Sequence, residues 1–220
     1  MKRVQTLAAA LSVVLLQAAM LQVLALAVAP VRAEDGIAND LRGIRIGMAA
    51  RELPNDGYAD LACATGPSRR LANWNAWADC PDGPSMLRAI RFGYDKATDR
   101  EGTRVAGHPV LLTLLVDDAG VVAGLLIETD PNSRLYMRKK AFLLGVQAKS
   151  RYGAEGWSCS ERQPAAGEQP VGGIYVNEQC SKSVNGRNVT IERRLLRHAD
   201  QELKDFTDET KISILAVKGT

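Results

Sequence analysis

Four cysteines, Cys63, Cys80, Cys159 and Cys180, constrain this chain more than any other feature. No two of them stand at the C-x2-4-C spacing that zinc prefers, so they read as staples rather than metal ligands. They lie downstream of a stretch with the form of a secretory leader: Lys2 and Arg3, an apolar run from Leu7 to Ala29, and a small-residue stop at Val31-Arg32-Ala33. Residues 1–33 are therefore expected to be a signal peptide, with Glu34 first in the mature chain. Export would carry the thiols into an oxidising periplasmic or extracellular compartment, where they form two disulfides. Three connectivities are formally open. Pairing sequence neighbours, Cys63 with Cys80 and Cys159 with Cys180, closes two short loops, each contributing roughly 3 kcal/mol in the chain-entropy description.

The leader also decides the charge balance. The chain has a net charge of +3, but Lys2, Arg3 and Arg32 all fall in the leader and no acidic residue does, which leaves the mature chain neutral. Without bulk charge there is no long-range field to draw in polyanions, so nucleic acid is not an expected partner. A membrane would be met only through an uncleaved leader, since about 20 apolar residues are enough to cross a bilayer. No cysteine stands at the cut to take a lipid.

Periodicity predicts an α+β domain of antiparallel sheet with packed helices. A short helix is suggested at Met48 to Leu53, stopped by Pro54, with a strand from Gly57-Tyr58 to Cys63. In the segment from Ala89 to Tyr94, Ile90, Phe92 and Tyr94 alternate with Ala89, Arg91 and Gly93, the period of a half-buried strand. Pro109 to Val116 and Val121 to Glu128 form the clearest hairpin, across Asp117-Asp118-Ala119-Gly120. A longer helix is expected from Asp130-Pro131 to Gly153, with Met137, Ala141, Leu144, Ala148 and Tyr152 on its apolar stripe. Val184-Asn185-Gly186-Arg187 predicts a second hairpin, with Val189, Ile191 and Leu195 on the face opposite Thr190, Glu192 and Arg194, and Ile212 to Val217 a last strand. The order of helix, cysteine strand, second cysteine and strands occurs twice. This suggests two related halves, 34–128 and 129–220, each with one disulfide, in one compact body.

The chemistry is sparse. The histidines, His108 and His198, are far apart and read as surface or strand-end residues, and no nucleophile elbow, phosphate loop or zinc-protease motif occurs. Asp117 and Asp118 read as turn formers, the Arg138-Lys139-Lys140 and Arg193-Arg194-Arg197 clusters as solvated faces, and Asp205, Thr207, Asp208 and Glu209 as a solubilising acidic loop. No catalytic residue, metal or cofactor is expected, although a small hydrolase drawing on Asp117, Asp118 and Glu128 stays open as an alternative. Trp74 and Trp77, between the first two cysteines, either cap the core or anchor a partner, and exposed tryptophans would also suit a carbohydrate or small-ligand module. Together with Trp157, they are candidate contacts alongside Gln163 and Gln169 of the glycine- and proline-rich loop from Gln163 to Gly173.

Two tandem units, each a helical segment on antiparallel sheet with its own disulfide, resemble the beta-lactamase inhibitor protein architecture. The segment Ile46-Gly47-Met48-Ala49-Ala50-Arg51-Glu52-Leu53 is similar to the opening turn of BamE-type small α+β envelope domains. The resemblance implies binding to a protein partner through a sheet face or loops, and the chain as a whole is expected to be a non-enzymatic protein that binds another envelope or secreted protein. No functional residue is carried over from the resemblance.

Overall fold

Turn chemistry sets the strand pairing. At the 184–187 hairpin Asn185 and Gly186 take φ values of 48° and 71°, the left-handed pair that a two-residue type I′ turn requires. At the other expected hairpin the Asp117 carboxylate accepts hydrogen bonds from the Ala119 and Val121 amides at 3.0 and 2.8 Å, which fixes the reversal. The computed structural model describes residues 39–217, and the expected leader and its cleavage site lie outside them.

Among the described residues, ten strands form one antiparallel sheet: β1 (Tyr58–Cys63), β2 (Arg88–Tyr94), β3 (Arg104–Val105), β4 (His108–Val116), β5 (Val122–Thr129), β6 (Ser158–Glu161), β7 (Glu168–Gln169), β8 (Val176–Val184), β9 (Arg187–His198) and β10 (Thr207–Ala216). Eight run side by side in the order β1-β2-β4-β5-β10-β9-β8-β6, while β3 and β7 pair at the sides of β4 and β9. The fold is thus α+β, dominated by sheet. The first half of the chain supplies one block of four strands and the second half the other. They meet where β5 pairs with β10, Ile127 opposite Ile212 and Leu125 opposite Ile214.

One face of this sheet is covered. Ile90, Leu112, Leu114, Leu125, Ile127, Val189, Ile191, Ile212 and Ile214 point into it and are buried. Over the first block lie two 3-10 turns, Ala50–Glu52 and Trp74–Asp79. Over the second lies a helix, α2 (Phe142–Arg151), preceded by one turn, α1 (Leu135–Arg138). Ala141, Leu144, Ala148 and Tyr152 are buried, as the stripe predicts, and Met137 is half-buried. Gly145 lets the helix come close: a Cβ there would meet Ile191 at 3.4 Å.

Several expectations are corrected. The single helix over 130–153 is broken, because Asp130 closes a turn by accepting from Asn132 N–H at 2.9 Å instead of opening a helix. The helix at 48–53 shrinks to a 3-10 turn. Asp208 and Glu209 do not belong to a loop: they are the start of β10, with Asp208 buried against Arg193 and Glu209 paired with Arg194 at 3.0 Å. Arg193 and Arg194 are therefore ion-paired strand residues, and Arg138 donates to the carbonyls of Lys204 and Phe206. His108 does begin a strand, but it is buried, its ring nitrogens 2.8 and 2.9 Å from the Pro109 and Met137 carbonyls.

The cysteines pair as neighbours, Cys63 with Cys80 and Cys159 with Cys180. Disulfides of this kind belong to an oxidising compartment. Among the described residues no helix is long and apolar enough to cross a membrane.

Candidate functional site: the open face of the sheet

Side chains alternate along a strand, so each residue pointing into the core has neighbours on the opposite face. Among the described residues no helix lies on that face, and its composition changes across the sheet. Leu111, Leu115, Leu126 and Leu215 give β4, β5 and β10 an apolar surface, with Leu111 exposed and the others half-buried. Gly124 stands between Leu115 and Leu215 in register, and a Cβ there would fall 2.6 Å from Leu215 and 3.0 Å from Leu115, so the glycine lets the two leucines close over it.

Toward β6 the face turns polar. Thr113, Ser213, Thr190, Ser181 and Ser158 share one register row across the sheet, interrupted by Leu126. The next row carries Glu128, Lys211, Glu192 and Gln179, with Lys211 bonded to Glu128 at 3.1 Å. That hydrogen bond raises the Lys211 pKa and keeps the ammonium charged. A further row sets Glu209 beside Arg194 and Asn177.

The polar end has a wall. From Arg162 to Tyr175 the chain folds back, and Arg162, Gln163, Ala165 and Glu168 close one side of a cleft of about 380 Å³ whose floor includes Asn177, Gln179, Glu192 and Arg194. Glu168 holds the wall in shape by accepting from the Tyr175 hydroxyl at 2.6 Å and the Ala165 amide at 3.0 Å. The tyrosine hydrogen bond is the main reason its carboxyl pKa is lowered, with the Ala165 amide adding to it. Arg162 reaches Gln179 at 3.4 Å. Glu192 is exposed and has no ion-pair partner among the described residues.

The sequence-based candidates are scattered. Gln163 lines this cleft, while Gln169 lies in β7, opposite Arg197. Trp74 is buried in a cluster with Tyr58 and Phe92, ring centroids 5.4 and 5.3 Å away, and its indole N–H donates to the Pro54 carbonyl. Trp77 is half-buried beside Gly120 and under the Arg88 guanidinium. Trp157, at the opposite end of the sheet, donates to the Gly153 carbonyl beneath Lys182. The three indoles share no platform. Asp117 and Asp118 stand at the turn of the β4–β5 hairpin and Glu128 near its far end, each with a local partner: backbone amides for Asp117, Arg88 for Asp118 and Lys211 for Glu128. Cys159, Glu178 and Cys180 are the one close group of metal-ligand types among the described residues, and their sulfurs are joined in the disulfide.

Sequence reasoning missed most of this face. Alternation exposes Thr190, Glu192 and Arg194 together, but their alignment with Gln179, Lys211 and Glu128 depends on a strand order that no local pattern encodes. Against known protein families, curated proteins and solved structures the chain finds no match. The site is therefore read from its own geometry.

Proposed function

We propose that this chain is an exported, disulfide-stapled binding protein that docks another envelope or secreted protein on the open face of its sheet. The leader-like start and the two disulfides support a periplasmic or secreted setting. The observation that carries the docking surface is the face left uncovered by the described residues: a leucine patch on β4, β5 and β10 passes into hydroxyl and charged rows that end at a walled cleft. An apolar centre with a polar rim is the usual anatomy of a protein interface. Short Ser and Thr side chains keep the intervening surface low, which suits a broad partner surface. The same reading takes the two four-strand blocks as a tandem duplication, in keeping with the resemblance to the beta-lactamase inhibitor protein architecture.

The test is site-specific photo-crosslinking in exported protein. A photoreactive residue at Ser213 or Thr190, on the open face, should give a discrete adduct that excess unlabelled protein competes away. Val146, exposed on the outer side of α2, is the comparison position. Adducts at Val146 with none at Ser213 or Thr190 would move the docking surface to the helix, and no competed adduct at any position would sink the reading.

A further inference from the structure

A second recess lies on the covered side of the sheet, where the N-terminal segment, the β3–β4 turn and the end of α2 converge. It encloses about 240 Å³. Its floor is apolar, formed by Ile127, Leu144, Ile212 and Ile214. Three guanidinium side chains from three separate segments, Arg42, Arg104 and Arg151, line the same recess.

Among the described residues the charges there do not cancel. Asp40, the acidic lining residue, is neutralised by Arg187, which reaches its two carboxylate oxygens at 2.6 and 2.9 Å. Arg42 is paired with Asp99. Arg104 and Arg151 bond only to backbone carbonyls, those of Glu101 and Gly107 for the first and Asn39 for the second, and have no carboxylate partner among the described residues. The Tyr152 hydroxyl is already engaged with Asp40 at 3.1 Å. Among the described residues, two guanidinium groups without a carboxylate hydrogen bond therefore stand over an apolar floor, Arg104 also feeling the charge of Asp99. Guanidinium forks match a carboxylate in shape as well as charge.

We propose that this recess binds a small organic carboxylate, its anionic head on Arg104 and Arg151 and its apolar body on Ile127, Leu144, Ile212 and Ile214. The volume falls below the roughly 300–1,000 Å³ of pockets for drug-sized molecules, which points to a short aliphatic or single-ring acid. The assignment does not depend on protein docking at the opposite face.

The experiment is an NMR titration of the oxidised protein with hexanoate, hexanol and hexylammonium as probes. Hexanoate should give saturable amide shifts confined to residues around Leu144, Ala148 and Ile212, with affinity at least about ten-fold above hexanol, as expected for a charge-assisted hydrogen bond. Hexylammonium should give none. Arg104→Ala/Arg151→Ala should weaken hexanoate by about ten-fold or more. Lys139→Ala/Lys140→Ala, which removes the same charge from exposed helix-end positions, should leave it unchanged. Hexanol binding as tightly as hexanoate, an equal loss in both double variants, or no saturable shift with hexanoate would each overturn the assignment.

Discussion

In the first block of the sheet the disulfide ties strand to cover, joining Cys63 at the end of β1 to Cys80 behind the Trp74–Asp79 turn, and both cysteines are buried in the core. In the second block it ties strand to strand, joining Cys159 of β6 to Cys180 of β8, which are already register partners. The covers differ in the same sense. The first block is roofed by aromatic rings around Trp74, while the second has a regular helix that buries small and aliphatic residues. Two four-strand blocks of one topology are thus stabilised differently: one needs its cover pinned down, and the other needs its edge strand held on. The open face does not divide along the same line: the leucine patch spans the β5–β10 junction between the blocks, while the cleft lies wholly on the block with the stapled edge.

The sharpest way to break this comparison is to empty the first roof. Trp74→Ala should cost about 3–5 kcal/mol, the range for deleting a buried aromatic side chain, measured as a shift in the urea unfolding midpoint. Phe142→Ala, on the exposed side of α2, should stay within about 0.5 kcal/mol. If Trp74→Ala cost no more than Phe142→Ala, the aromatic roof would not be what holds the first block.

A second test probes the junction between the blocks. Asp40, before β1, and Arg187, at the start of β9, form a buried pair joined by the Tyr152 hydroxyl and the Ile46 amide. Burial, reinforced by the nearby Asp40 charge, pushes the Tyr152 phenol above its ordinary pKa and keeps it a hydrogen-bond donor. Asp40→Ala should cost about 3–5 kcal/mol, because it strands the arginine. The double variant Asp40→Leu/Arg187→Met should recover most of that loss in the same urea titration. Failure to recover would mean that the pair positions the N-terminal segment beyond neutralising its own charge.

The disulfides come next in size. The first closes a 17-residue separation and the second a 21-residue one, so chain entropy alone gives each about 3 kcal/mol. The geometry predicts a difference in kind. Cys63→Ala/Cys80→Ala should lower global stability by about 3 kcal/mol, because it frees the cover. Cys159→Ala/Cys180→Ala should first release β6, a four-residue edge strand with all residues exposed, together with the loop from 162 to 175. Hydrogen exchange should show those amides opening before global unfolding. Equal global losses with no local opening would break the comparison.

What the sequence made legible follows the same division between local and distant. Both hairpins were readable because Asn185-Gly186 and the Asp117 carboxylate carry the turn geometry themselves. The stripe Ala141, Leu144, Ala148 and Tyr152 was readable because 3.6-residue spacing is a local property. The pairing of β5 with β10 was not, since it joins strands more than 80 positions apart, and the open-face rows depend on it. Asp40 and Arg187 were two unremarked charges in the sequence, made partners by folding across 147 positions. Trp74 and Trp77 looked equivalent there, yet one lies in the core and the other stands beside a turn. Asp208 looked soluble because nothing nearby in sequence announces Arg193 across the strand pair.

The smallest expected effect concerns the cleft wall. Glu168 is a carboxylate whose folded pKa lies below its ordinary 4.5, chiefly because the Tyr175 hydroxyl donates to its charged form. A lowered carboxyl pKa means that the contact stabilises the loop fully above the ordinary value and is lost as pH falls through the folded one. The wall should therefore stay ordered at neutral pH and loosen only in acid, while the aromatic roof of the first block is indifferent over that range. Amide exchange at Ala165 should rise as pH drops below the ordinary carboxylate range, after correction for the intrinsic pH dependence of exchange. Glu168→Gln should reproduce the loosened wall at neutral pH, because the neutral amide accepts more weakly from both donors. Protection at Ala165 that is unchanged in acid and in Glu168→Gln would show that the wall is held without the Glu168 carboxylate, by the stapled edge and the backbone pairing of β7 with β9.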